Sequence, residues 1–173
     1  MLLAALACAS LDASVIIPAE LRTLTVEAQS IVLGRVTDVR GQVRRDRRRI
    51  DSFVVFAVDD AVKGPAQRTI VFKTLGGQVG RYRTFVPGSP AFAPGDEAVI
   101  FLGRGAVPYP IGLSHGVFRV RRDARTGERR ILSPPMLLDP KYAMTVRRAD
   151  GARVPLPLHR FLTMVRRAAA GQQ

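Results

Sequence analysis

Tryptophan is missing from this sequence, and cysteine occurs once, at Cys8. A lone cysteine excludes an internal disulfide framework. Cys8 also lies in the apolar opening run, so a chain that loses this run keeps no thiol to act as nucleophile or metal ligand. The only histidines, His115 and His159, are far apart and lack metal-ligand spacing. Each reads as a lone exposed side chain. Carboxylates are scarce, 14 Asp and Glu against 27 Lys and Arg. Two pairs stand out, Asp59-Asp60 and Asp96-Glu97, as a weak cation site or an acid/base pair, or else as a strand terminus and a turn. No apolar run approaches the roughly 20 residues that cross a bilayer as a helix. No G-x-S-x-G elbow occurs. Ser114 and His115 are adjacent, and neighbours on a strand point to opposite faces, so they do not form a dyad there. The expectation is a protein without enzymatic activity, cofactor or metal.

What is abundant is arginine. The net charge of +13 is carried by 24 Arg and only 3 Lys. One reading is an electrostatic footprint for nucleic acid, an anionic glycan or a membrane surface. The other is a solvated surface whose Arg content reflects a GC-rich genome, and the Arg-to-Lys ratio favours it. The start, "MLLAALACASLDAS", joins a short apolar run to a small-x-small cleavage pattern, Ala7-Cys8-Ala9, without a positive n-region. It reads as a shortened leader over residues 1–13, ahead of a single domain over 14–173. A buried N-terminal helix, or a lipoprotein signal acylated at Cys8, are the other readings.

Along the chain, Leu21, Leu24 and Ala28 recur at helical spacing after Pro18 and predict a helix of two to three turns. "SIVLGRVTDVRGQV" is a strand interrupted by Gly34, the mark of a bulge or a sharp coil. "RRDRRR", Arg44 to Arg49, is a hairpin tip in water. "FVVFAV" is apolar on both faces and predicts a strand covered on both sides. "RTIVFKTL" follows as a strand. Pro87-Gly88 and Pro94-Gly95 carry type II turn chemistry. "EAVIFLG" reads as a central strand. "HGVFRVRRDARTGERRILS" is a hairpin turning at "DARTG", and "YAMTVRRADGARVPL" a second one at Asp150-Gly151. In the tail, Leu158, Phe161, Leu162 and Val165 form one helical face, with Pro157 suited to the first turn. About seven strands without βαβ alternation predict a mainly β protein: a small antiparallel OB-like barrel with a short N-terminal helix, extra β-hairpins and a C-terminal helix.

The most site-like stretch is "KTLGGQVGRYR". A P-loop needs Lys-Ser or Lys-Thr after its last glycine, and a dinucleotide fingerprint needs a helix to follow. Neither is present, so Gly76, Gly77 and Gly80 are assigned a backbone role. Arg81 and Arg83 beside a possible anion nest, with Tyr82 and Phe85 interleaved, are what single-stranded nucleic acid would use. With His115 and Arg119 from "LSHGVFRV", these residues form the candidate ligand surface.

The order of "EAQSIVLGRVTDV", "FVVFAVDDAVKGP", "IVFKTLGGQVG", "PAFAPGDEAVIFLG" and "GLSHGVFRV" resembles a group of uncharacterised exported bacterial proteins. Its V-x-G-x-V strand followed by a strand closing on K-G also resembles the netrin-like module of tissue inhibitors of metalloproteinases. The resemblance covers roughly Leu21 to Val120 and implies an OB-type barrel and an exported location. Those inhibitors reach a catalytic zinc through a disulfide-tied N-terminal cysteine, which this chain lacks, so that mechanism does not carry over. The expected role is an exported binding domain without enzymatic activity. Its partner would be another exported protein or an envelope polymer, with nucleic acid or another polyanion as the alternative.

The leader generates the first prediction. N-terminal sequencing of protein recovered from its native host should begin just after Ala9 or Ala13, in an extracytoplasmic fraction. An intact Met1 in the cytosol would overturn the assignment.

Overall fold

A computed structural model describes residues 19–45, 49–132 and 156–171. The leader, the centre of the arginine tip and the hairpin expected around Asp150-Gly151 lie outside the described residues. The chain enters through helix α1 (Ala19–Glu27) and continues into two long strands, β1 (Ser30–Val43) and β2 (Ile50–Lys63), paired antiparallel from Val43 opposite Ile50 back to Ile31 opposite Lys63. The ladder slips at three places, one of them between Leu33 and Gly34. At Gly34 the strands lie so close that a Cβ would sit 2.0 Å from the Ala57 carbonyl oxygen. Only glycine fits, and the irregular register there lets β1 bend.

The remaining elements are β3 (Thr69–Leu75), β4 (Gly77–Val79), β5 (Tyr82–Thr84), β6 (Glu97–Gly103), β7 (Tyr109–Pro110), a 3₁₀ turn (Leu113–Gly116), β8 (Val117–Arg122), β9 (Arg129–Leu132), β10 (Leu156–Pro157) and helix α2 (Leu158–Ala169). The main sheet runs β10-β9-β8-β6-β1-β2-β3, with β7 also on β6, and β4 and β5 form a separate ribbon. Every pairing is antiparallel. The apolar strand β6 is central, as its composition predicts.

Alternation on these strands splits the core in two. Ile31, Leu33, Val99, Phe101, Val120 and Ile131 face the helices, where α2 presents Leu158, Phe161, Leu162 and Val165. The tilted rings of Phe118 and Phe161, 4.8 Å apart, join sheet to helix. On the opposite face Val32, Val36, Val54, Phe56, Phe72, Ile100 and Leu102 pack together. Helix α1 is fixed at its C-terminal end from a distance: the Lys63 ammonium donates to the carbonyls of Thr25 (2.7 Å) and Val26 (3.2 Å). A cation there satisfies orphan carbonyls and suits the helix dipole.

The protein is a mainly β antiparallel sheet with two helices, as expected, and the sheet is not closed. The outer edge of β3 approaches the β7 segment, and the Lys73 N–H donates to the Pro108 carbonyl at 2.9 Å. The flanking Pro108 and Pro110 have no N–H to extend a ladder. One expectation, for β2, needs correction. Val54 and Phe56 are fully buried, but Phe53, Val55 and Ala57 on the other face are only half-buried, so that face is not fully covered.

Phe72 sits edge-on to both Phe56 and Phe92, at 5.9 and 5.4 Å between centroids. Phe72→Ala should therefore destabilise the fold by about 3–5 kcal/mol. Val71→Ala, one residue along and exposed, should change stability by less than about 0.5 kcal/mol. Urea unfolding with an unchanged m-value checks both; equal effects would contradict the assigned register of β3.

Candidate ligand-binding cleft

The glycine-rich stretch turns the chain out of the sheet. Gly76 and Gly77 both have positive φ, +85° and +146°, and a Cβ on Gly77 would lie 2.2 Å from the Ser52 hydroxyl. The backbone role expected for these glycines is therefore visible in their geometry. β4 and β5 form a small ribbon with Gly77 opposite Thr84 and Val79 opposite Tyr82. The chain then returns past the end of β3, where the Ser89 hydroxyl donates to the Leu75 carbonyl at 2.6 Å. The Ser114 N–H donates to the Gly88 carbonyl at 3.0 Å, which ties this return to the segment after β7.

Between these three segments lies a half-open cleft of about 380 Å³, lined mainly by Lys73, Leu75, Pro90, Tyr109, Pro110 and Leu113. A volume of this order falls at the small end of ligand pockets. Its walls are apolar, and three of its side chains, Leu75, Tyr109 and Leu113, are substantially exposed. Leu113 has φ +59°, directly after Gly112 at +58°. A left-handed leucine is a strained conformation held by its surroundings, here at the mouth of the cleft.

The sequence-predicted ligand residues separate into groups. Arg81, Tyr82 and Arg83 lie on and beside β5, all exposed, followed by Phe85, which is 78% exposed. An Arg81 guanidinium nitrogen donates to the Tyr82 hydroxyl at 3.1 Å, and the guanidinium lies 5.2 Å over that ring. His115 is exposed on the 3₁₀ turn, next to the cleft residues Gly112 and Leu113. It does not sit on a strand, so the alternation argument applied to Ser114 and His115 falls away. Arg119 is taken up by the fold: it donates to Asp96 at 2.8 Å and to the Ala91 carbonyl, and lies 5.2 Å over the Phe92 ring. Lys73, Leu75, Tyr109 and Leu113 were not singled out from sequence. For Lys73 and Leu75, their alternation with the buried Phe72 and Thr74 along β3 is the signal that could have found them; Tyr109 and Leu113 gave none.

Three of the four paired carboxylates, Asp60, Asp96 and Glu97, are engaged with arginines. Asp60 accepts from Arg166 on α2. Glu97 lies 3.8 Å from Arg35 and 2.8 Å from Arg129. Burial pushes the Asp96 carboxyl up, but the Ala93 N–H, the Arg119 hydrogen bond and the charges of Arg119 and Arg121 outweigh it and hold it below the usual carboxylate range. The backbone N–H groups of Arg125 and Thr126 likewise lower Asp123 at the β8–β9 turn. Across that hairpin Arg121 faces Arg130, and Arg122 faces Arg129. Such like-charge pairs repel, and Asp123, Glu128 and Glu97 offset them at Arg130 and Arg129. Among the described residues no cluster of three or more His, Cys, Asp or Glu is disposed to hold a metal ion. Nor is any described helix long and apolar enough to cross a membrane.

No family model, curated protein or solved structure matches the chain.

Asp96 gives a signed pH prediction. A carboxyl lowered in the folded state stabilises the fold above its unfolded pKa of about 3.9, and that stability is lost as pH falls through the folded value. Asp96→Asn should lower stability at pH 7 by about 1–3 kcal/mol and flatten the decline below about pH 4. Chemical unfolding across pH checks this, and an unchanged acid slope would contradict it.

Proposed function

We propose that the protein is an exported, non-enzymatic interaction domain that binds another exported protein through the cleft beside β3. The observation that carries this reading is the cleft itself: an open apolar depression with exposed Leu75, Tyr109 and Leu113, at the end of the sheet where β3 has no strand partner on its outer side among the described residues. Exposed apolar surface rimmed by polar groups commonly marks an interaction site. The export half of the reading rests on the leader. An OB-like arrangement of the netrin type draws support from the approach of β3 to β7, through the Lys73–Pro108 hydrogen bond, which would complete a ring of β1, β2, β3, β7 and β6.

A second reading has its own observation. Tyr82 and Phe85 stand exposed beside Arg81 and Arg83, the arrangement a single-stranded nucleic acid or other polyanion would use. Against it, one face of Tyr82 is already covered by Arg81.

Photocrosslinking in the native host separates the two. A photoreactive phenylalanine analogue replacing Leu113 should give a discrete adduct with an exported protein, while the same analogue replacing the exposed Arg167 on α2 should not. Equal labelling at both positions would reject the cleft. The second reading would instead predict single-stranded DNA binding that falls with salt at a log–log slope of about −0.7 per phosphate contacted and weakens on replacing Arg81 and Arg83.

A further inference from the structure

Three features of the cleft bear on what it would hold, given the binding role proposed above, on which this inference rests. The first is backbone. β3 ends the sheet, with a ladder to β2 on one side only. In an antiparallel strand each residue turns its N–H and C=O to the same side, and the side alternates. The Lys73 N–H and the Leu75 carbonyl both point away from β2, toward Pro108 and Ser89. Val71 has the same parity, so its N–H and C=O point outward as well, and no described strand covers them. Because Lys73 and Leu75 are already bonded to Pro108 and Ser89, the part of this edge left as a template for an added chain is the one at Val71.

The second feature is the apolar volume of about 380 Å³ that begins where this edge ends, between Leu75 and Tyr109. It would receive side chains of a strand lying along β3. The third is charge. Lys73 is the one ionisable cation lining the cleft, and no carboxylate lines it. Glu97, Asp96 and Asp60 are each held by arginine, whereas no described residue forms an ion pair with Lys73. Among the described residues Arg68, exposed just before β3, has no ion pair either. The cleft and the approach to β3 therefore each present a cation that forms no ion pair among the described residues.

We propose that β3 is a docking strand for an extended acidic segment of a partner protein. The segment hydrogen-bonds to the outward N–H and C=O of Val71, seats an apolar side chain between Leu75 and Tyr109, and sets a carboxylate against the Lys73 ammonium. A second copy of this chain is disfavoured as occupant, because edge-to-edge pairing of β3 would bring Lys73 and Arg68 against their own kind in a chain of net charge +13.

The test is selection from a random library of end-blocked peptides as long as β3, followed by affinity measurement on the peptides recovered. They should be rich in Asp or Glu among β-branched and aromatic residues. Lys73→Gln, or Gln for Glu in the peptide, should each weaken binding by about tenfold. Lys73→Glu should turn the preference toward Lys and Arg. Val71→Pro removes an outward N–H at an edge position where proline is tolerated, so it should weaken binding strongly while the protein stays folded, as its retained cooperative unfolding would show. Amide NMR shifts should centre on Val71 and Lys73. Peptides without acidic bias, an acidic preference that persists in Lys73→Glu, shifts confined to the β4–β5 ribbon, or self-association of the protein through β3 would overturn the proposal. If no peptide binds while the Leu113 photoadduct still forms, strand addition fails and the binding role stands. If neither is seen, both fall.

Discussion

The sheet depends on how closely β1 can lie against β2 at Gly34. β1 pairs with β2 along nearly its whole length and with β6 through Ser30 to Arg35, so it holds both halves of the sheet together. Its side chains also divide between the two cores, Ile31 and Leu33 toward the helices, Val32 and Val36 toward the other face. A side chain at position 34 would collide with the Ala57 carbonyl, and the strands would part where the two cores meet. The slips of register around this point let β1 bend, and the far edge of β3 lies against the segment before β7. The cleft lies where these parts meet, with walls from β3, the return after β5 and β7 with the segment after it.

The charge distribution follows from the same architecture. Many arginines do structural service: Arg119 closes the turn around Asp96, Arg129 and Arg35 flank Glu97, and Arg166 joins α2 to β2 through Asp60. These contacts neutralise carboxylates at strand ends and leave the excess positive charge spread over several elements. This pattern agrees better with a solvated surface than with one continuous groove. Lys73 differs because it lies against apolar walls without an anion.

Much of the fold was legible in local sequence pattern. "EAVIFLG" could only be a central strand, the spacing of Leu158, Phe161, Leu162 and Val165 placed α2, and "DARTG" marked the β8–β9 turn that Asp123 closes with bonds from Arg125 and Thr126. Gly34 announced its irregularity because a glycine among β-branched residues has few other reasons to be there. The cleft was not legible, since its walls lie far apart in sequence and meet only once the chain has folded. Ser114 and His115 were misassigned to a strand because the left-handed pair Gly112-Leu113, which initiates the 3₁₀ turn, includes a leucine, a residue that gives no sign of such a backbone. Arg119 was grouped with the ligand residues through its neighbour Phe118. Strand alternation turns the two side chains to opposite faces, Phe118 toward α2 and Arg119 toward Phe92.

The ammonium of Lys63 on the end of α1 has a consequence for the order in which the molecule assembles. Nine residues is shorter than an isolated helix needs to persist in water, about 12–15 residues. The carbonyls that would fray are held by a residue at the far end of β2, and the apolar side of α1 packs against α2 at the other end of the described chain. As the polypeptide is synthesised, the first of the described helices therefore has no lasting shape of its own. It acquires one when the hairpin behind it has zipped to Lys63, and its burial is complete only when α2 arrives. Topology makes the first of the described helices among the last to become rigid, so its apolar side chains stay exposed while the intervening strands are synthesised.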